Sequence, residues 1–255
     1  MNSVGFYRDN NGTLSVQNIN VNDLAKKYGT PLFIYDSGLM KERYDAFIEA
    51  TCHLKGNIHY AVKANDALSI ISYFAKLGCG ADIVSIGEFK KCIAAGVSPK
   101  KIIFSGVGKE NSEIEFALKN NILQFNIESE EELDDIHKIA SKLKISANIC
   151  LRVNPNIAPN THKKISTGEK STKFGINFEN VVSIYQKLHD LDYINPVGLA
   201  VHIGSQIFDF DFFYQAYSNL KNLADDLKKQ KFSVPTLDLG GGIGINYNNN
   251  IPPDF

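Results

Sequence analysis

Five short stretches of the chain carry side chains capable of chemistry, and each sits at or near the end of a run of apolar residues. Lys63 lies in Tyr60-Ala61-Val62-Lys63-Ala64-Asn65. An amine beside apolar strand residues can serve as a Schiff-base nucleophile. Gly240-Gly241-Gly242, with Gly244 close behind, follows the run 236–239; glycines let backbone N–H groups come close to a phosphate. In His202-Ile203-Gly204-Ser205-Gln206, the imidazole can stack on a flat cofactor and the Ser205 hydroxyl can bond a phosphate oxygen. Asp82, in Gly80-Ala81-Asp82, and Arg152, after Leu151, add a carboxylate that steadies a cationic amine and a guanidinium that orients an anion or a ring substituent. Taken singly, each has a plainer reading: a snorkelling lysine, a tight turn, a structural histidine, two salt-bridge partners.

The elements that must hold these groups follow from periodicity. Strand-length apolar runs occupy 57–62, 79–84, 101–105, 122–127, 146–153, 197–203 and 234–239. Their near-continuous apolar character suits parallel strands buried on both faces. Helical patterns fill 66–77, 86–95, 110–120, 129–143, 178–189 and 211–229. Ser129 followed by Glu132 predicts a capping box. Phe213, Tyr217, Leu220, Ala224 and Leu227 form the stripe of a core-facing helix. Seven alternations predict a βα barrel or a doubly wound sheet. The candidate groups then fall at the C-terminal ends of strands one, two, five, six and seven, the face where a barrel builds its active site. Residues 154–174, with Pro155, Pro159 and Gly168, make a long polar loop of the kind that is usually functional. Residues 21–28 read as a short helix and 31–35 as an extra strand, which a plain barrel would leave as an uncovered edge.

Bulk properties exclude several function classes. The 255 residues are 44% hydrophobic and 22% charged, which suits one large domain with a sizeable core. A formal net charge of −1, with scattered Lys and Arg, leaves no footprint for nucleic acid or an anionic membrane. No apolar run approaches the ~20 residues of a membrane span, and residues 1–12 lack a signal core. Cys52, Cys79, Cys92 and Cys150 form no CxxC pair, so they are expected to be reduced and mostly buried in a cytoplasmic protein. No zinc-type spacing, GxGxxG or GxSxG turn competes with the strand-end groups, and no metal is expected.

Four motifs together, Tyr60 to Asn65, Gly80 to Glu88, His202 to Gln206 and Gly240 to Gly242, resemble the pyridoxal 5'-phosphate (PLP) enzymes of the alanine racemase-like barrel fold. Within that family the chain is most similar to the diaminopimelate decarboxylases. The similarity lies in Tyr28-Gly29-Thr30-Pro31-Leu32, Leu151-Arg152-Val153-Asn154-Pro155, Ile165-Ser166-Thr167-Gly168 and Lys173-Phe174-Gly175. The resemblance implies that Lys63 carries PLP as a Schiff base, His202 stacks on its ring, and Ser205, Gly240, Gly241 and Gly242 hold its phosphate. Asp82 and Arg152 would line the site. The implied reaction converts meso-2,6-diaminopimelate to L-lysine and CO2, in homodimers whose sites lie at the subunit interface.

The family pattern also contains parts this sequence lacks: an eighth strand, a Glu-Pro-Gly-Arg segment after it, and a C-terminal β domain carrying a Cys and a Tyr. The expected fold is therefore an incomplete α/β (β/α)8 TIM barrel over 37–255, preceded by a segment, 1–36, whose strand at 31–35 would pair in that β domain. A chain ending at Phe255 is expected to be a fragment, inactive by itself. Two alternatives remain: another amino-acid decarboxylase or racemase of the same fold, against which the 166–174 segment argues, and a non-catalytic PLP-binding barrel, against which the 31–35 strand argues.

Overall fold

The computed structural model describes residues 5–155, 157 and 174–245. They form two compact units, one running to Gly56 and the other starting at Asn57.

The first unit holds a small antiparallel sheet, β1 (Phe6–Arg8), β2 (Leu14–Val16) and β3 (Ile19–Asn20), in the order β1-β2-β3. Helices α1 (Val21–Tyr28) and α2 (Ser37–Ala50) follow. Helix α1 starts where expected because the Asn20 side chain accepts the N–H of Asn22. Asp36 caps α2 by accepting from the N–H groups of Gly38 and Leu39, and its other oxygen accepts from Gly5 at 2.6 Å. Residues 31–35, expected as a strand that pairs in a further β domain, form no ladder among the described residues. Phe33 is 85% exposed and Tyr35 is exposed as well, so this apolar run stands uncovered among the described residues.

The second unit is the barrel-type sheet. Its strands are β4 (His59–Ala61), β5 (Gly80–Ile83), β6 (Ile102–Phe104), β7 (Gln124–Ile127), β8 (Ala147–Asn154), β9 (Ile176–Asn177), β10 (Ile194–Val201) and β11 (Thr236–Asp238). All ladders in this sheet are parallel, and the order is β4-β5-β6-β7-β8-β10-β11, with short β9 added on the end of β8. Spatial order equals chain order. A doubly wound sheet reverses its strand order at a switch point; this one does not, which decides for the barrel. Helices α3 (Leu68–Lys76), α4 (Ile86–Ala94), α5 (Asn111–Lys119), α6 (Glu130–Leu143), α7 (Val181–Asp190) and α8 (Phe210–Lys229) supply the crossovers. Among the described residues β4 and β11 form no ladder with each other, so the sheet is an incomplete barrel.

The hydrophobic core lies between this sheet and its helices. Ala81, Ile83, Ile102, Phe104, Phe125, Ile127, Ile149 and Leu151 point outward from the strands and are fully buried. Helix α8 meets them with Phe213, Leu220, Ala224 and Leu227, all buried, while Tyr217 is partly buried against the same cluster. At the start of α6, Ser129 accepts from the Glu132 N–H as expected, at 3.2 Å. Glu132 does not complete a capping box, however. Its carboxylate accepts instead from the Glu128 N–H and from Lys109.

That last contact pins two strand-end loops together. Lys109, in the β6–α5 loop, has only 1% of its side chain exposed. Its ammonium donates to Gly106 O at 2.7 Å, to Asn126 O at 2.9 Å and to Glu132, and lies 5.5 Å from the Phe104 ring centre. A buried pair loses most when one partner is removed, because the other charge is left uncompensated. Lys109→Met is expected to destabilise the chain by about 3–5 kcal/mol in urea denaturation. Lys109→Met with Glu132→Gln should recover part of that loss, since the glutamine oxygen can still accept from Glu128. A single variant as stable as the parent would contradict the role assigned to the pair.

Candidate functional site

The concave face of the sheet is polar, which a strand buried under helices does not require. On β7 and just beyond, Gln124, Asn126 and Glu128 alternate with the outward Phe125 and Ile127, and all five are buried. Two-residue periodicity therefore sends every polar side chain of this strand to one face. Buried polar groups must be paired, and here they pair with each other. Gln124 Nε2 donates to Asn126 Oδ1 at 2.8 Å. Asn126 Nδ2 donates to Ser105 Oγ at 3.2 Å and to Asp238 Oδ2 at 2.8 Å. Ser105 Oγ donates to Asp82 Oδ1 at 2.6 Å. The bond from Asn126 to Asp238 joins β7 to β11 although β8 and β10 lie between them, so it crosses the hollow of the curled sheet.

Above this layer stand the groups picked out in the sequence. Lys63 lies in a 3-10 turn, Val62–Ala64, directly after β4, and is exposed. Asp82 is on β5, Arg152 near the end of β8, and His202 directly after β10. They act on one another electrostatically. Burial pushes the Asp82 carboxyl up to about 6; the Ser105 hydrogen bond opposes this, the nearby Asp238 charge adds to it, and Lys63 and Arg152 oppose it. Burial pushes His202 down to about 4, and the cations Arg152 and Lys63 push the same way. The imidazole is therefore neutral at pH 7, and its Nδ1 takes a long contact, 3.4 Å, from the Gly241 N–H.

Arg152 is fixed from two sides. Its guanidinium donates to Glu128 Oε1 at 2.8 Å and lies 5.3 Å from the Phe174 ring centre. Glu128 Oε2 accepts from the Gly175 N–H at 3.2 Å, so one buried carboxylate holds both the arginine and the described end of the 154–174 segment. The plain reading of Arg152 as a salt-bridge partner is correct, and its charge reaches the site as well.

The glycine run is more than a tight turn. Gly240 and Gly242 have φ of +66° and +111°. A Cβ on Gly240 would lie 2.3 Å from Val201 O, and one on Gly242 would lie 1.9 Å from Gly204 O. Both positions are closed to any side chain. They press the run against the end of β10, beside His202. A Cβ on Gly241 would meet nothing within 4 Å, so its outer side is open. Ser205 is exposed in the neighbouring turn. The Ile207 N–H donates to Gly242 O at 2.9 Å and the Gly244 N–H to Ile207 O at 2.8 Å, which locks the two turns together.

Lys63, Asp82, Arg152 and His202 are thus brought within electrostatic reach of one another, with Gly240, Gly241 and Gly242 against His202. Ser105, Gln124, Asn126, Glu128 and Asp238 were not singled out in the sequence. Their signal is there in hindsight: Gln-x-Asn-x-Glu at two-residue spacing inside a strand, and Asp directly before Leu-Gly-Gly-Gly. The Ile165 to Gly168 motif and Lys173 lie outside the described residues. Among the described residues no cluster of His, Cys, Asp and Glu could hold a metal ion, and no helix is long and apolar enough to cross a membrane.

The two shifted groups have opposite consequences for stability. The folded Asp82 carboxyl keeps a proton up to about pH 6 that an unfolded one loses near 3.8, so its contribution is lost as pH rises through that window. His202 favours the fold above 6.5, and that contribution is lost as pH falls toward 4. Asp82→Asn keeps the acceptor for Ser105 without the buried charge. It is expected to gain roughly 1–3 kcal/mol over the parent above pH 6.5, with the gap narrowing as pH falls and closing only below the unfolded value of 3.8. A gap that does not change with pH in denaturant titrations would contradict this.

Comparison with known proteins agrees with this arrangement. Residues 38–254 match the family model described as "Pyridoxal-dependent decarboxylase, pyridoxal binding domain". The diaminopimelate decarboxylase of Vibrio cholerae is 40% identical over 248 residues, which is 97% of this chain and 60% of that protein. That of Helicobacter pylori is 43% identical over 230 residues, 90% of this chain and 57% of that protein. The crystal structure of the Helicobacter pylori diaminopimelate decarboxylase complexed with L-lysine superposes with a TM-score of 0.89 at 40% identity, covering 92% of this chain and 59% of that one. The M. jannaschii diaminopimelate decarboxylase with L-lysine gives a TM-score of 0.90 at 35% identity, covering 99% and 60%. The chain thus spans about three fifths of the length of the relatives it matches. With the strand order, the polar concave face and a family match over 38–254 in agreement, the chain belongs to the pyridoxal-dependent decarboxylase family, of which it carries the pyridoxal binding domain.

Proposed function

We propose that this chain holds pyridoxal 5'-phosphate on Lys63 and forms the cofactor-binding part of a diaminopimelate decarboxylase, which converts meso-2,6-diaminopimelate to L-lysine and CO2. The observation that carries the reading is the convergence of Lys63, His202, Arg152 and the closed glycine run at one edge of a parallel sheet. Identity of 37–43% to diaminopimelate decarboxylases of several bacteria supports the substrate. So do the L-lysine complexes of the two structural relatives.

The residues present fit the group. Gly240 and Gly242 leave no room for a side chain and bring backbone close to the site, while Gly241 opens outward, as a cup for a phosphate needs. Ser205, exposed beside it, can add a hydroxyl. His202 is held neutral, which suits stacking on a flat ring without adding charge. Lys63 is exposed at a strand end, where an amine can reach a carbonyl. When bound, pyridoxal phosphate supplies an electron sink for the pair released as a carboxylate leaves an α-carbon. The protein's part is to hold and orient. Arg152, fixed by Glu128, places a cation over the site, and Asp82 faces the Lys63 charge. The expected division into a 1–36 segment and a 37–255 barrel and the homodimer belong to the same proposal and rest on the family resemblance, and the cytoplasmic setting belongs to it on the cysteine usage.

The parent chain incubated with PLP is expected to develop visible absorbance that Lys63→Ala abolishes while its far-UV circular dichroism is unchanged. Among amino acids added to the loaded chain, meso-diaminopimelate should perturb that absorbance at lower concentration than L-ornithine or L-arginine. An unchanged spectrum in Lys63→Ala would remove the lysine assignment, and a preference for L-ornithine or L-arginine would remove the substrate.

A further inference from the structure

Beneath the candidate phosphate cup lies a carboxylate that no strand-end motif announces. Asp238 ends β11, and its two oxygens do different things. Oδ1 accepts the Gly240 N–H at 2.9 Å, at the entrance to the glycine run. Oδ2 accepts Asn126 Nδ2 at 2.8 Å, from the far side of the hollow. Asn126 cannot turn its amide around freely. Its Oδ1 is taken by Gln124, and both hydrogens of its Nδ2 are spent, one on Asp238 and one on Ser105. The Asn126 carbonyl oxygen of the backbone is held in turn by the buried ammonium of Lys109. Each donor in this chain therefore has a fixed direction, and the last acceptor is the carboxylate that carries the glycine turn.

We propose that Asp238, oriented by Asn126, is the positioning residue of the phosphate cup: the pair fixes where the Gly240, Gly241 and Gly242 backbone stands and so sets affinity for the phosphate group of the cofactor rather than for its ring. The inference rests on the reading of this site as a pyridoxal phosphate site and goes beyond it by naming residues that touch neither ring nor phosphate. Geometry gives the reason. Among the described residues β11 forms one ladder, to β10, and the bond from Asn126 gives its exit to the glycine run a second point of attachment. That bond comes from β7, across two intervening strands. In Asp238→Asn the oxygen can still accept from Gly240, but its amide then meets the Asn126 amide donor to donor. In Asn126→Leu the carboxylate loses its brace. Ser105→Ala removes the donor to Asp82 and the acceptor of the other Asn126 hydrogen, while the bond from Asn126 to Asp238 and the Gln124 donor to Asn126 Oδ1 stay in place.

The test compares the affinities of PLP and of pyridoxal, which has the same ring and aldehyde without the phosphate, for the parent chain and the three variants, with thermal melts alongside. Asp238→Asn and Asn126→Leu are expected to bind PLP at least tenfold more weakly while pyridoxal binding stays within twofold. Inorganic phosphate should compete less well in the same two variants. Ser105→Ala should keep the parent's preference for PLP over pyridoxal. Equal weakening of both ligands, or an unchanged preference in Asp238→Asn, would overturn the inference, as would loss of the preference in Ser105→Ala. If Asn126→Leu does not fold, Asp238→Asn alone decides by the same ratio. A parent chain that binds neither ligand, or does not distinguish them, would instead overturn the reading of the site as a pyridoxal phosphate site, and the inference with it.

Discussion

The side-chain amide of Asn126 donates to Ser105 and to Asp238 across the hollow of the curled sheet. Much of the arrangement around the site depends on that pair of bonds. A concave face lined by Gln124, Asn126, Glu128, Asp82 and Asp238 cannot be stabilised by burial alone, because unpaired polar groups inside a protein cost more than apolar contacts return. It holds because each donor finds an acceptor within the layer. The convex face is ordinary by comparison: Phe104, Phe125, Ile127 and Leu151 pack under the helices. The sheet thus divides its labour by residue parity, with apolar residues outward for stability and polar residues inward for the site.

Parallel pairing then determines where the reactive groups stand. With chain order equal to spatial order, every strand ends at the same edge, and the side chains of residues 63, 82, 152 and 202 are brought there by fold rather than by local sequence. Burial, joined by the cations at that edge, keeps His202 neutral, and the same cations oppose the burial that raises Asp82. Glu128 balances Arg152 from beneath, so the guanidinium is held in place at the rim, and the Lys109–Glu132 pair ties the loops after β6 and β7 behind it.

How much of this was legible in the sequence varied with the length scale of the signal. The helices of the barrel were readable because each is long enough to show a period, α8 and its stripe being the clearest case, and its strands because each lies in a near-continuous apolar run bounded by polar loops. Helix α2 was not, since none of its residues is buried and no apolar stripe marks it. The strands β1, β2 and β3 are two or three residues long, too short for alternation to register. The apolar run 31–35 has strand composition but forms no ladder among the described residues, and pairing is a tertiary fact that composition cannot supply. Within the candidate site the terminal groups were legible because reactive residue types at strand ends are unusual. The layer below them was not. Gln124 and Asn126 were absorbed into an apolar run, and the bond from Asn126 to Asp238 links residues 112 positions apart. The Glu132 side chain bypassed its expected capping partner because a buried ammonium competes better for a carboxylate than a helix N–H does.

The central claim is that these strand-end groups make Lys63 the attachment point for pyridoxal phosphate. The most direct measurement is to load the chain with PLP at equimolar concentration, reduce it with borohydride, digest it and locate the modified lysine by mass spectrometry. A single modified peptide containing Lys63 is predicted. Modification spread over surface lysines, or concentrated on a lysine elsewhere with Lys63 untouched, would contradict the claim.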